Sequence, residues 1–185
     1  MNKKEELIKF GKKLVESGLT YAFFGNISVR KGNKILIKKT GAELFELDEN
    51  SIVEVDIYKE SGTDKSASVE LPVHREIYKN TDSGAVIHAH CPFAVIMSLI
   101  SENNKIIPID GEGKYFLNEI LILGGEPGSE ELAKNASCAL SKCNGIIVRG
   151  HGTFARGKNL RDAFITTAMI ENSCKIRYYV DAIKK

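Results

Sequence analysis

Two histidines spaced i, i+2, His88 and His90, close the apolar run Gly84-Ala85-Val86-Ile87-His88-Ala89-His90-Cys91-Pro92. In an extended strand that spacing puts both imidazoles on one face. A third histidine, His151, stands far downstream in a similar setting, where Gly145-Ile146-Ile147-Val148-Arg149 runs into Gly150-His151-Gly152. Three imidazoles at the ends of two strand-like runs suit a zinc ion with one coordination position left open, which is the arrangement of a catalytic zinc and not of a structural one. His74 is the one histidine left over, and it is read as a helix-face or supporting residue, because a fourth imidazole would obstruct the substrate's position. Cys91 directly follows the pair and is read as packing, since a thiolate added to three imidazoles would close the site.

The elements that must position these side chains follow from periodicity. From Glu5 to Ser17 the residues Leu7, Ile8, Phe10, Leu14 and Val15 recur at helical spacing, and Gly18 offers the left-handed stop. Gly25 to Arg30 and Lys34 to Lys38 alternate around Lys31-Gly32-Asn33, which predicts a hairpin. Gly25-Asn26 and Thr40-Gly41 then fall at the same end of that hairpin, bringing together an amide, a hydroxyl and backbone N–H groups able to hold a phosphate. Both pairs are also ordinary turn chemistry.

Ile52 to Ile57 reads as a strand, and Glu60 to Ser66 as a polar loop. A helix is predicted from near Ser68 to Asn80, with Glu70 in its first turn, Pro72 tolerated there, and Ser68 a candidate cap. Glu70 and His74, four apart, share a helix face by this reading. Farther on come a helix over Pro92 to Ile100, strands over Lys105 to Ile109 and Glu119 to Leu123, and a loop at Gly124-Gly125-Glu126-Pro127-Gly128. Ser129 caps a further helix to about Lys142, with Glu131 or Leu132 at its third position. The strand that holds His151 and a long helix from Leu160 to Ala182 complete the chain. This order predicts an α/β layered domain with a largely antiparallel sheet covered by helices.

Composition sets the outer bounds. A length of 185 residues, 43% of them hydrophobic and 27% charged, fits one globular domain over residues 1–185. The 26 basic and 24 acidic residues are mixed along the chain, leaving a net charge of +2 and no basic face for nucleic acid or membrane. A small-molecule partner is expected. No apolar run reaches the roughly 18 residues of a membrane span, and the amphipathic start does not read as a signal peptide, so a cytoplasmic location is expected. Cys91, Cys138, Cys143 and Cys174 form no C-x-x-C pair and are read as reduced thiols.

In their order, Gly25-Asn26-Ile27-Ser28-Val29-Arg30, Thr40-Gly41, Ser68-Val69-Glu70 with His74, His88-Ala89-His90 and Gly150-His151-Gly152 resemble the class II aldolase and adducin family. Within it they are most similar to the zinc-dependent fuculose-phosphate aldolase branch. The resemblance covers residues 7 to about 180, and its specificity lies in the combination. It implies an α/β/α layered domain around an antiparallel sheet, assembled as a homotetramer with active sites between subunits. It also implies one zinc per subunit on His88, His90 and His151, Glu70 as catalytic acid/base, and a phosphate site at Gly25, Asn26, Thr40, Gly41 and Ser68.

The implied reaction is reversible cleavage of a ketose or deoxyketose 1-phosphate, such as L-fuculose 1-phosphate, to dihydroxyacetone phosphate and an aldehyde such as lactaldehyde. Zinc would stabilise the enediolate, and uncharged groups would hold the phosphate without setting a competing cation near the metal. A pentulose-phosphate 4-epimerase or methylthioribulose-phosphate dehydratase on the same site is the alternative within the family, and an adducin-head-like interaction domain is the alternative outside enzymes.

Three departures from the branch stand out. Val69 occupies the place of a second serine, so one phosphate donor is missing. The loop before Gly128-Ser129 reads Leu123-Gly124-Gly125-Glu126, without the branch's proton-donating tyrosine; Tyr115, in the segment before it, is the candidate replacement. The chain ends soon after Tyr178-Tyr179, without the tail that closes the site in longer relatives.

Overall fold

The computed structural model describes residues 2–184. Its centre is an eight-stranded sheet of β1 (Asn26–Lys31), β2 (Lys34–Lys38), β3 (Ile52–Asp56), β4 (Ala85–Ala89), β5 (Lys105–Ile106), β6 (Ile120–Leu123), β7 (Gly145–Val148) and β8 (Gly152–Gly157). The spatial order is β3-β2-β1-β4-β8-β7-β6-β5. Every neighbouring pair is antiparallel except β6 with β7. The five α-helices are α1 (Lys3–Glu16), α2 (Leu71–Asn80), α3 (Pro92–Ile100), α4 (Glu130–Leu140) and α5 (Leu160–Ile183).

Alternation along the strands divides the core into two layers. Ile27 and Val29 of β1 and Ala85 and Ile87 of β4 pack with Leu7, Phe10 and Leu14 of α1, Ala94 and Met97 of α3, and Phe164 and Ile170 of α5. The intervening positions, among them Val86, Ile146 and Phe154, pack with Val73, Ile77 and Tyr78 of α2 and Leu132, Ala136 and Leu140 of α4. A sheet with helices on both faces is the α/β layered fold that the sequence predicts. Each fully buried Leu or Ile in these layers contributes about 1.5–3 kcal/mol, so the two layers fix the strand register, since a one-residue slip would turn every side chain to the wrong layer.

Local expectations are corrected in four places. His151 lies in the tight turn after β7 and not on a strand; Gly150, at φ 69°, makes the left-handed corner that reverses the chain. The strand that follows, β8, has no alternating signal in sequence because it lies inside the sheet and is covered on both faces. The segment expected as a strand over Lys105 to Ile109 pairs only at Lys105 and Ile106, and Pro108 has no N–H with which to extend the ladder. Helix α2 starts at Leu71, so Glu70 is its N-cap residue and not part of the first turn; Ser68 lies before the helix. Ser129 caps α4 by accepting from the Leu132 N–H, which puts leucine at the third position and leaves the capping box incomplete.

Candidate metal and anion site

His88 is the penultimate residue of β4, His90 follows directly after the strand, and His151 arrives from the β7–β8 turn. Their ligand nitrogens all lie within 4.8 Å of one another. The Nε2 atom of His88 is 3.1 Å from that of His90 and 3.3 Å from that of His151. His88 Nδ1 is 2.9 Å from the Thr153 carbonyl oxygen. A carbonyl only accepts, so Nδ1 carries the hydrogen and the His88 Nε2 lone pair points at the other two rings. Burial holds all three imidazoles below their ordinary pKa, His90 at about 4; His151 further disfavours a proton on His88 and His90, and His90 does so on His88.

Such a cluster of neutral nitrogens fits a metal ion. Tetrahedral ligands at the usual zinc–nitrogen distance of about 2.0–2.1 Å stand roughly 3.3 Å apart, close to the separations found here. Cys91 takes no part in the cluster: it is buried, with its sulfur 3.5 Å from the Thr153 hydroxyl, and burial pushes its thiol up to about 12.

Glu70 lies beside the imidazoles. Its Oε2 accepts the Gly128 N–H at 3.0 Å, while Oε1, 3.9 Å from His151 Nε2, is buried with no hydrogen-bond partner. Burial pushes the carboxyl up to about 7, against a smaller lowering by the Gly128 N–H. An orphaned carboxylate oxygen aimed at three neutral nitrogens is costly without a proton or a cation between them. Glu70 and His74, four apart, take different partners. The N-cap backbone at φ −83°, ψ 8° turns Glu70 toward the cluster, whereas His74 is fully buried against the sheet.

The same cavity, of about 390 Å³, brings Gly25, Asn26, Thr40, Gly41 and Ser68 together with the histidines and Glu70. Gly25 is obligatory there: at φ 77°, a Cβ on it would sit 2.6 Å from the His88 carbonyl oxygen. Ser68 Oγ accepts the Glu70 N–H at 3.4 Å.

Two features escape sequence reasoning. Lys38 lines the cavity and is only 3% exposed, with its Nζ on the carbonyls of Phe23 (3.4 Å) and Lys39 (3.3 Å). It has no carboxylate partner among the described residues, and burial lowers its pKa to about 8. A buried lysine therefore stands among the uncharged groups that the sequence singles out. The sequence concealed this because Lys34, Lys38 and Lys39 look like a solvated set of strand-end charges. Phe24 lies flat on the His90 ring, with centroids 5.2 Å apart and planes 8° apart, and so holds that ring's orientation. Tyr115, in contrast, is 82% exposed beside Phe116 and is not among the residues that line the cavity.

An α/β/α sandwich with three imidazoles and a carboxylate at the end of its central strands defines a metal-site enzyme fold. Residues 5–178 match the family described as Class II Aldolase and Adducin N-terminal domain, and the chain belongs to that family. It is 34% identical to an L-fuculose phosphate aldolase of Methanocaldococcus jannaschii over 184 residues, covering 98% of this chain and 99% of the relative. The crystal structure of L-fuculose-1-phosphate aldolase from Thermus thermophilus superposes with a TM-score of 0.91 at 31% identity, covering 98% of this chain and 95% of that one. A 5-methylthioribulose-1-phosphate/5-deoxyribulose-1-phosphate aldolase of Rhodospirillum rubrum is 27% identical over 89% of this chain and 75% of its own. The protein is an enzyme of the aldolase, or lyase, class.

Proposed function

We propose that the protein is a zinc-dependent aldolase that reversibly cleaves a ketose or deoxyketose 1-phosphate, such as L-fuculose 1-phosphate, to dihydroxyacetone phosphate and a short aldehyde such as lactaldehyde. The observation that carries this reading is one cavity with two chemically distinct ends. Three converging imidazoles and the unpartnered oxygen of Glu70 form one end, and Asn26, Thr40, Gly41, Ser68 and Lys38 form the other. Zinc on His88, His90 and His151 supplies a Lewis acid for the charge that develops on substrate oxygens as the carbon–carbon bond breaks. Glu70, with a pKa near 7, is suited to take and return a proton at neutral pH. At the far end the phosphate is held by hydroxyl and amide donors with one cation.

The exposed faces of Phe23, Phe24 and Val69 at the cavity mouth favour an aldehyde with an apolar terminus over a fully hydroxylated one. Epimerisation of a pentulose phosphate and dehydration of a methylthioribulose phosphate are the competing reactions for such a site, and product analysis separates them, because only the lyase changes the number of carbon fragments.

The working form is proposed to be a cytoplasmic homotetramer of one-domain chains with one zinc per subunit. Tyr115 is exposed on its own subunit, so it would act as a proton donor only by reaching a neighbour's cavity. No helix among the described residues is long and apolar enough to cross a membrane. The test is aldol condensation of dihydroxyacetone phosphate with a panel of short aldehydes, using native protein and Glu70→Gln. Metal-dependent product from the native protein and a fall of about 10²–10⁴ in the variant are expected; no product with any aldehyde would refute the lyase reading.

A further inference from the structure

Behind Asn26 lies a buried chain of polar groups that the reaction as described leaves unused. His74 Nε2 is 2.5 Å from Asn26 Oδ1, His74 Nδ1 is 2.7 Å from Ser28 Oγ, and Ser28 Oγ is 2.9 Å from the Tyr78 hydroxyl. His74 and Ser28 are wholly buried, and Tyr78 and Asn26 nearly so. The four residues come from β1 and α2, and Phe154 packs edge-on against the His74 ring.

The polarity of this chain turns on which nitrogen of the neutral ring carries its one proton. In the first polarity, Tyr78 donates to Ser28, Ser28 donates to Nδ1, and the Nε2–H donates to the Asn26 amide oxygen. In the second every bond is reversed: Nδ1–H donates to Ser28 and Ser28 donates to Tyr78. One of the two buried hydroxyl hydrogens then has no acceptor, that of Tyr78 or, if Tyr78 donates to Ser28 instead, that of Ser28, because the Val86 N–H at the Tyr78 oxygen is itself a donor. An orphaned buried O–H costs about 1–3 kcal/mol, so the first polarity wins. Burial alone already forbids a charged ring, lowering the His74 pKa to about 3.

We propose that His74 is the positioning residue that sets the polarity of the anion end: by taking up the amide oxygen of Asn26, it leaves the amide NH₂ as the group presented to the substrate's phosphate. The proposal rests on the phosphate reading given above and goes beyond it by assigning a buried residue that makes no contact with substrate. The consequence is an end of the cavity that offers donors only. The Asn26 amide, the Thr40 and Ser68 hydroxyls and the Lys38 ammonium line it, and the one side-chain carbonyl in the set is turned into the core. With the amide reversed, its oxygen would face the phosphate oxygens and repel them.

The test uses the zinc-loaded protein. Long-range proton–nitrogen spectra report which His74 nitrogen carries hydrogen, and calorimetric titration with dihydroxyacetone phosphate, against dihydroxyacetone as the control, reports the anion end. The native ring is expected to carry its proton on Nε2. His74→Leu is expected to bind dihydroxyacetone phosphate roughly tenfold or more weakly. His74→Gln, which keeps an N–H at the outer position, stays within about threefold of native, and zinc affinity is unchanged in both. Ser28→Ala, a milder change in case the leucine variant fails to fold, frees the ring tautomer and weakens phosphate binding a few-fold. A proton on Nδ1 in the native protein, or variants of His74 and Ser28 that bind as native does, would overturn the proposal. If the native protein itself shows no preference for the phosphorylated ligand, the phosphate reading falls instead, while the spectrum still reports the polarity of the chain.

Discussion

The two ends of the cavity solve opposite electrostatic problems with similar materials. At one end, His88 is fully buried and neutral, with its Nε2 lone pair facing the Nε2 atoms of His90 and His151. At the other end, His74 is equally buried and neutral, yet both of its nitrogens are satisfied by Asn26 and Ser28. Burial and a depressed pKa therefore do not distinguish a metal ligand from a structural histidine. What distinguishes them is whether the acceptor has a donor. The imidazole end gathers three ring nitrogens and the Glu70 Oε1, a set that a cation would satisfy; the other set gathers hydroxyl, amide and ammonium groups, which an anion would satisfy.

The largest expected effect breaks the acceptor end. His88→Ala removes the nitrogen common to both short separations, and metal analysis of the purified variant is expected to show zinc lost, with turnover down by at least about 10³-fold. Full zinc occupancy in that variant would separate the cluster from the metal.

Next in size is the coupling between Glu70 and the metal. Burial disfavours the charged form of all three imidazoles, His90 at about 4, whereas Glu70, raised to about 7, is mostly protonated at about pH 6. Zinc binding should then expel about one proton, coming from Glu70, and apparent zinc affinity should rise with pH up to about 7. Calorimetry in buffers of differing ionisation enthalpy measures the release, and Glu70→Gln should reduce it to near zero. Equal release from both proteins would place the proton elsewhere.

Lys38→Met sharpens the contrast at the donor end. Loss of a buried charge-assisted donor is expected to raise KM for the phosphorylated substrate by roughly 10–100-fold, with little change for unphosphorylated dihydroxyacetone and none in zinc content. A uniform loss of kcat would move Lys38 from phosphate binding into the chemical step.

The smallest effect concerns Phe24, which touches a ligand without being one. Phe24→Ala should speed zinc release to a chelator a few-fold by freeing the His90 ring, and Phe24→Tyr should restore the native rate. Unchanged release in the alanine variant would make the stack incidental.

The metal end was legible in the sequence because its chemistry demands particular residue types. His88, His90 and His151 are chosen by what imidazole alone does, and each follows an apolar run that announces its strand. The sheet, its hairpin and the covering helices were likewise written in local periodicity, with β8 as the exception because full burial erases alternation. The amino-acid order also supplied Glu70 and the small residues Gly25, Asn26, Thr40, Gly41 and Ser68 as a set. Only tertiary structure decided the rest. It placed Lys38 in the cavity wall, gave Glu70 and His74 different partners at the start of α2, stacked Phe24 on His90, and kept Tyr115 in solvent. The physical reason is common to all four: a side chain's partner and direction depend on contacts between residues far apart in the chain, to which neither helical nor strand periodicity refers.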